Sequence, residues 1–213
     1  MQHRSTSHSR AAAKRLMDVV GATLGLGATL ALWPVVALAI KLDSRGPVLF
    51  GQERVGRGGR RFRLWKFRTM CRDADAQKAR LMPCNEMRGP AFKLTDDPRV
   101  TRIGAFLRRH NLDELPQFWN VLRGEMSLVG PRPSTPDEVD AYEPWQRRRL
   151  TVRPGMTGLA QVVGDGALRD FDEVVGRDLE YIDGWSLRLD VRLLLSTLRA
   201  LIAGRRPRNA TAR

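Results

Sequence analysis

The chain has 213 residues, which suits one domain, or one domain with a membrane element. Lys and Arg number 37 against 23 Asp and Glu, a formal net charge of +14 that favours nucleic acid, anionic lipid head groups or nucleotide phosphates as partners. Cys71 and Cys84 form no Cys-x-x-Cys, and His3, His8 and His110 share no ligand spacing, so nothing points to a structural zinc site and nothing requires a disulfide.

Residues 1–15 are polar and basic (Arg4, Arg10, Lys14, Arg15) and read as a flexible tail. From Val19 to Ile40 there are 22 residues without a charge. As a helix that run reaches ~33 Å, enough to cross a bilayer core. A cleaved signal peptide fits poorly, because the run is longer than an h-region and no Ala-x-Ala-like site follows. A spanning helix and a re-entrant one both remain. Arg4, Arg10, Lys14 and Arg15 precede the run, and Lys41, Arg45, Arg54, Arg57, Arg60, Arg61 and Arg63 follow it. The positive-inside rule therefore places both ends in the cytoplasm, which a straight span cannot satisfy. Pro34 lacks an N–H and clashes with the preceding turn, so it is the expected break in a re-entrant helix over 16–42.

Gly46 to Val55 and Arg60 to Met70, joined by Gly56-Arg-Gly-Gly59, read as a β-hairpin. The glycines match neither a Walker motif nor a dinucleotide fingerprint, so they supply a turn. Lys66 and Arg68 would share one face as an anion contact. A short helix is expected from Asp73 to Met82, ended by Pro83, and another over 100–110 from the spacing of Val100, Ile103, Phe106 and Leu107. Pro116 suits the first turn of a helix over 116–123.

Asp113 and Glu114 then lie at or just before a helix N-terminus, where partial positive charge favours the carboxylate. Asp113 could be no more than a cap. Glu138 to Leu150 reads as one short helix, and Arg153 to Gln161 as a Gly/Pro turn leading into an extended segment. Trp185 to Ile202 is an amphipathic helix with Arg188, Arg192 and Arg199 off its apolar face, suited to a membrane surface or to a core.

Adjacent carboxylates can bind a divalent cation, work as acid and base, or act as nucleophile. Mg²⁺ takes one or two carboxylates together with substrate phosphates, which suits a chain with few clustered acids and many arginines. Arg132 stands between Pro131 and Pro133, so it loses little freedom on gripping a phosphate. Carboxylate, metal and cationic clamps at a bilayer surface together suit phosphoryl transfer.

Several stretches carry a family likeness: Lys14-Arg-Leu-Met-Asp18, Gly46-Pro-Val-Leu-Phe50, Lys66-Phe-Arg-Thr-Met70, Asp97-Pro-Arg-Val-Thr-Arg102, Leu112-Asp-Glu-Leu-Pro-Gln117, Met126-Ser-Leu-Val-Gly-Pro-Arg-Pro133 and Pro154-Gly-Met-Thr-Gly158. With them the chain resembles the bacterial sugar transferases, small monotopic polyprenyl-phosphate phosphoglycosyl transferases, from about residue 14 to 203. The resemblance implies a mostly helical α+β fold: a re-entrant N-terminal membrane helix, a small β-hairpin and interfacial amphipathic helices. It implies transfer of a sugar phosphate from a UDP-sugar to a polyprenol phosphate through a phosphosugar–aspartate, with release of UMP. This would be the first membrane step of a glycoconjugate or exopolysaccharide pathway.

By position, Asp113 would be the nucleophile and hold Mg²⁺, and Glu114 would assist. Arg132, Lys66 and Arg108 would bind phosphates. Trp33 stands where the family often has Ser before the proline of the break. Extra upstream spans of larger members are not expected in this chain.

The organisation implied is a basic tail (1–15), a membrane helix (16–42), a catalytic domain on the cytoplasmic face of the bacterial inner membrane (43–204) and a basic C-terminal tail (205–213). Partners would be UDP-sugar, polyprenol phosphate and inner-membrane lipid, with no specific nucleic acid and with homo-oligomerisation open. A membrane-tethered basic protein that binds nucleic acid, or a non-catalytic scaffold, is the alternative that the +14 charge leaves.

Overall fold

A computed structural model describes residues 2–164 and 168–203. It is a mostly helical α+β protein. The elements in order are α1 (Gln2–Asp43), β1 (Leu49–Val55), β2 (Arg61–Phe67), α2 (Ala74–Leu81), α3 (Arg102–Arg109), α4 (Gln117–Leu122), β3 (Ser127–Val129), α5 (Pro136–Asp140), β4 (Gly155–Thr157), α6 (Leu159–Gly164), α7 (Phe171–Asp183) and α8 (Leu187–Ile202). Short 3₁₀ turns cover Arg57–Gly59, Met82–Cys84, Leu112–Glu114 and Gln146–Thr151.

The segment Ser9–Asp43 of α1 is long and apolar enough to cross a membrane. One stripe of it is buried on the protein, with Asp18, Ala22, Thr29, Val36 and Ile40 recurring at helical spacing. The opposite side exposes Leu16, Val20, Leu24, Val35, Leu38 and Leu42. Gly25 lets the helix approach α4: a Cβ there would lie 2.4 Å from the Phe118 ring. The helix continues through Pro34, so the expected break does not interrupt it, although Pro34 cannot donate to the carbonyl of Leu30.

The expected tail over 1–15 is also corrected, since α1 starts at Gln2. At its end two basic residues, Lys14 and Arg15, dock on the rest of the protein. Arg15 donates to the carbonyls of Val121 and Leu122, both at 2.7 Å, and so caps the last turn of α4. Lys14 pairs with the buried Asp190 of α8 at 2.8 Å. Asp18 accepts from Ser127 Oγ and Leu128 N, fixing the start of β3. The expected C-terminal tail, 205–213, lies outside the described residues.

The hairpin forms as expected, antiparallel from Leu49↔Phe67 to Val55↔Arg61. Gly58 and Gly59 take positive φ (67° and 79°) in its turn. Phe62 and Leu64 point from β2 into the main core with Ala22, Val121, Met126, Leu128, Val129, Tyr181 and Leu193. A second, two-stranded sheet pairs β3 with β4 in parallel. The expected helix over 138–150 is instead two pieces, α5 and the 3₁₀ turn after Trp145, because Pro144 cannot continue the first. The segment after Arg153 is extended only at β4 and then turns into α6. On α8, Asp190 and Leu193 face inward, while Val191, Leu195, Leu198, Leu201 and Ile202 are exposed. Its apolar residues are therefore divided: Leu189, Leu193 and Leu194 pack on the main core, while the others face outward.

Candidate active site

Three elements converge on the Asp113–Glu114 turn. Asn111, at the end of α3, has φ 53°, the left-handed conformation that Asn tolerates better than most residues. It turns the chain out of α3 into the 3₁₀ turn Leu112–Glu114. Asp113 is thereby buried, 6% exposed, while Glu114 stays partly open. The cap of the 3₁₀ turn is Asn111 and that of α4 is Pro116, so Asp113 caps neither. Pro116 precedes α4 rather than opening it. The turn rests on α1: Thr29 Oγ1 donates to the carbonyl of Leu115 at 3.3 Å, and Leu112 and Leu115 pack with Trp33, Ile40 and Phe67.

Strand β2 delivers Lys66, whose Nζ donates to Glu114 Oε1 at 2.7 Å. The strand is held in place by Asn120, which is fully buried. Its amide accepts from Trp65 N at 3.1 Å and donates to the carbonyl of Arg63 at 2.7 Å. Arg108 reaches from α3 to Thr69 Oγ1 at 2.9 Å. Arg68 departs from expectation. It lies beyond the end of β2, and its guanidinium is consumed by Pro47 O (2.6 Å), Ser44 Oγ (2.7 Å) and Ser44 O (2.8 Å), so it ties the end of α1 to the hairpin.

Arg132 is exposed on a loop whose backbone is fixed carbonyl by carbonyl. Pro131 O accepts from Gly155 N (2.8 Å), Arg132 O from Arg149 (3.1 Å), Pro133 O from Arg54 (2.9 Å) and Ser134 O from Val55 N (2.9 Å). Arg149 is itself buried, paired at 2.8 Å with the buried Asp178 and donating to Tyr142 Oη at 2.6 Å. The prolines on either side of Arg132 thus account for part of its rigidity and this network for the rest.

Lys66, Glu114 and Arg132 meet around one open cleft of about 290 Å³ with Arg54, Gln117, Met156 and Gln161. Asp113, next to the lining Glu114, and Arg108, bonded to Thr69, are not among the residues that line it. Pro34 is not at the cleft; its neighbour Trp33 packs on Phe67 with ring centroids 5.2 Å apart. Arg54 and Gln117 are cleft residues that the sequence does not announce. Arg54 looks like an ordinary strand arginine until the register places it beside the Pro-Arg-Pro loop.

Burial raises the Asp113 carboxyl above the ordinary carboxylate range; Lys66 opposes this, the adjacent Glu114 adds to it and Arg108 opposes it. Burial thus outweighs the helix-end field expected to favour the ionised form. Among the described residues there is no group of three or more His, Cys, Asp and Glu that could hold a metal unaided. The donor set is a pair of adjacent carboxylates beside arginines. That set fits a hard cation that shares its coordination with substrate phosphate, and would not cage a cation unaided.

Residues 9–204 match the family model described as bacterial sugar transferase. Over 200 residues the chain is 47% identical to the galactosyl transferase CpsE of Streptococcus agalactiae, covering 92% of this chain and 44% of that protein. It is 44% identical to the undecaprenyl-phosphate glucose phosphotransferase of Komagataeibacter xylinus, covering 96% of this chain and 38% of that protein. The exopolysaccharide production protein ExoY of Sinorhizobium fredii is 38% identical, with 90% of this chain and 86% of that protein covered. The chain therefore spans less than half the length of the first two relatives and most of the third.

Proposed function

The chain belongs to the bacterial sugar transferase family, and we propose that it moves a sugar phosphate from a UDP-sugar to a polyprenol phosphate, releasing UMP. The observation that carries this reading is the meeting of Lys66, Glu114 and Arg132 at one cleft, with the buried Asp113 adjacent to Glu114 in the chain. Phosphoryl transfer needs positioning and charge stabilisation more than elaborate covalent machinery, and this cleft offers both.

In the first step the Asp113 carboxylate attacks the β-phosphorus. A carboxylate O–P bond forms, and the bond from that phosphorus to the bridging oxygen breaks, so that UMP departs with that oxygen. In the second step an oxygen of polyprenol phosphate attacks the same phosphorus. The aspartyl O–P bond breaks, giving polyprenyl-diphospho-sugar and the free Asp113 carboxylate. Lys66, Arg108 and Arg132 offset phosphate charge, and Glu114 orients Lys66 and assists the incoming lipid phosphate. Asp113 would help to hold a Mg²⁺ ion, which would offset further phosphate charge.

The exposed apolar faces of α1 and α8 support a membrane setting. Re-entry is supported by the docking of residues on both sides of the apolar run on one body, Arg15 on α4 and Asp43 on Ile103 N. The catalytic residues would then face the cytoplasm at the inner membrane. The nucleic-acid alternative rested on charge, yet Arg15, Arg54, Arg68, Arg99, Arg108 and Arg149 are all engaged within the protein.

The test is UMP release by detergent-solubilised protein with Mg²⁺, polyprenol phosphate and a panel including UDP-glucose and UDP-galactose. Release with one sugar supports the reading. Silence with every sugar, while a related enzyme works in the same assay, removes it.

A further inference from the structure

The buried arginines of this protein are matched to acceptors. Arg99 is paired with Asp97 at 2.6 Å, and Arg149 with Asp178 at 2.8 Å. Arg68 is enclosed by Ser44 and Pro47. Arg54 is different. One guanidinium nitrogen donates to the carbonyl of Pro133 at 2.9 Å and another to Gln52 Oε1 at 2.6 Å; its buried Nε has no partner, as is true of Arg149 Nε, but Arg149 has the Asp178 carboxylate beside it. No carboxylate pairs with it among the described residues. Glu138 is committed to the capping box of α5, and Glu114 accepts from Lys66.

The charged group that acts on it most strongly is another cation. Burial and then Arg132 lower the Arg54 pKa to about 10, against the pull of Glu138 and Glu114. Both arginines line the cleft. None of the described residues hydrogen-bonds the Arg132 guanidinium. Two like charges held together on a fixed loop and strand are unfavourable in the empty cleft. An anion between them reverses the sign of that interaction, because planar guanidinium groups suit phosphate oxygens.

We propose that Arg54 is a substrate-binding residue that, with Arg132, forms a second phosphate subsite in the cleft beside the Lys66–Glu114 pair. This rests on the function proposed above and adds to it a site for the phosphate that is not being transferred. That group is either the phosphate that leaves with uridine or the phosphate of the lipid acceptor. The chemistry is the same for both, and the experiment separates them.

The experiment uses the full chain in detergent, as wild type, Arg54→Gln, Arg54→Lys, Arg132→Gln and the Arg54→Gln/Arg132→Gln double variant. Calorimetry measures the binding of UMP and of uridine, and UMP release gives KM for UDP-sugar and for a short-chain polyprenol phosphate. If the nucleotide phosphate sits here, Arg54→Gln weakens UMP roughly ten- to hundredfold and leaves uridine unchanged. Arg54→Lys falls between, and the double variant loses less than the product of the two single losses, since both arginines act on one group.

If the lipid phosphate sits here, only the polyprenol phosphate KM rises, by a similar factor. A displaced loop would weaken uridine and UMP alike, which would overturn the proposal. Where Arg54→Gln lowers the melting temperature, Arg54→Lys, which keeps a donor toward Pro133 O, decides on the same criteria. UMP binding and both KM values unchanged would overturn the subsite while a working wild type leaves the transferase reading intact. Failure of that reading shows instead as a wild type with no turnover.

Discussion

Lys66 Nζ and Glu114 Oε1 lie 2.7 Å apart, a bond that joins the end of the hairpin to the turn carrying Asp113. It sets a lysine beside a buried carboxyl whose pKa burial has raised. A nucleophilic Asp113 must be ionised, so activity rises with pH as that carboxyl loses its proton. Lys66→Met removes the largest influence favouring ionisation and moves the acid limb of kcat/KM to higher pH. A pH–rate profile of UMP release checks this; an acid limb that stays in place or moves downward contradicts it.

Asp113→Asn should leave a protein at least as stable as wild type at pH 7. The folded pKa of Asp113 is raised, so its contribution to stability is present at low pH and lost as pH rises through the folded value. A neutral amide avoids the cost of burying the ion. Thermal melting at pH 7 is the measurement, with an unchanged or higher Tm expected.

Asp178 has the same sign. Burial raises it from 3.8 to about 6 despite Arg149. Between those values the folded state holds more protons than the unfolded one, so this contribution to stability declines as pH rises from about 4 to 6. Arg149→Met leaves the buried Asp178 without its cation and frees the carbonyl of Arg132. It should cost roughly 3–5 kcal/mol in chemical denaturation at pH 7, and Asp178→Asn in the same chain should restore part of that.

Gly104 allows α3 to lie against the strand end: a Cβ there would be 2.0 Å from the backbone oxygen of Thr69. Gly104→Ala must push α3 away and, with it, the Arg108–Thr69 contact. A loss of about 1–3 kcal/mol in stability is expected, together with a higher KM for UDP-sugar. A fully wild-type KM would show that Arg108 does not serve the substrate.

The membrane topology is open to direct labelling. With the native cysteines replaced, single cysteines at Ser9 and Ser44 should both resist a membrane-impermeant maleimide in intact cells and both react after lysis. Labelling of one end alone in intact cells would make α1 a spanning helix.

Much of this arrangement is legible in the sequence, because strong local signals agree with the fold. The hairpin follows from alternation around Gly56–Gly59, and α3 and α4 lie within a residue or two of expectation because apolar spacing and Pro116 mark them. Helix α7 is not among the expected elements, although Asp170 caps it and Phe171, Val175, Leu179 and Ile182 recur at helical spacing. The order of residues 9–15 is not local at all. It depends on Lys14 and Arg15 meeting Asp190 and α4, more than a hundred residues away in the chain.

The candidate site divides the same way. Lys66, Asp113, Glu114 and Arg132 stand in motifs, whereas Arg54 enters only through strand register and the carbonyl of Pro133. Arg68 shows the converse: its place beside Lys66 suggests an anion contact, and only the end of β2 at Phe67 shows that it turns to Ser44 instead.

The covalent role of Asp113 is tested most directly by incubating the protein with its UDP-sugar and no lipid acceptor, quenching, and mapping the adduct by mass spectrometry. The expected result is one added sugar phosphate on Asp113, formed with a matching amount of UMP, discharged by polyprenol phosphate and absent from Asp113→Asn, whose turnover falls by ~10⁴-fold or more. Full turnover by Asp113→Asn, or an adduct on another residue that polyprenol phosphate discharges, would contradict it.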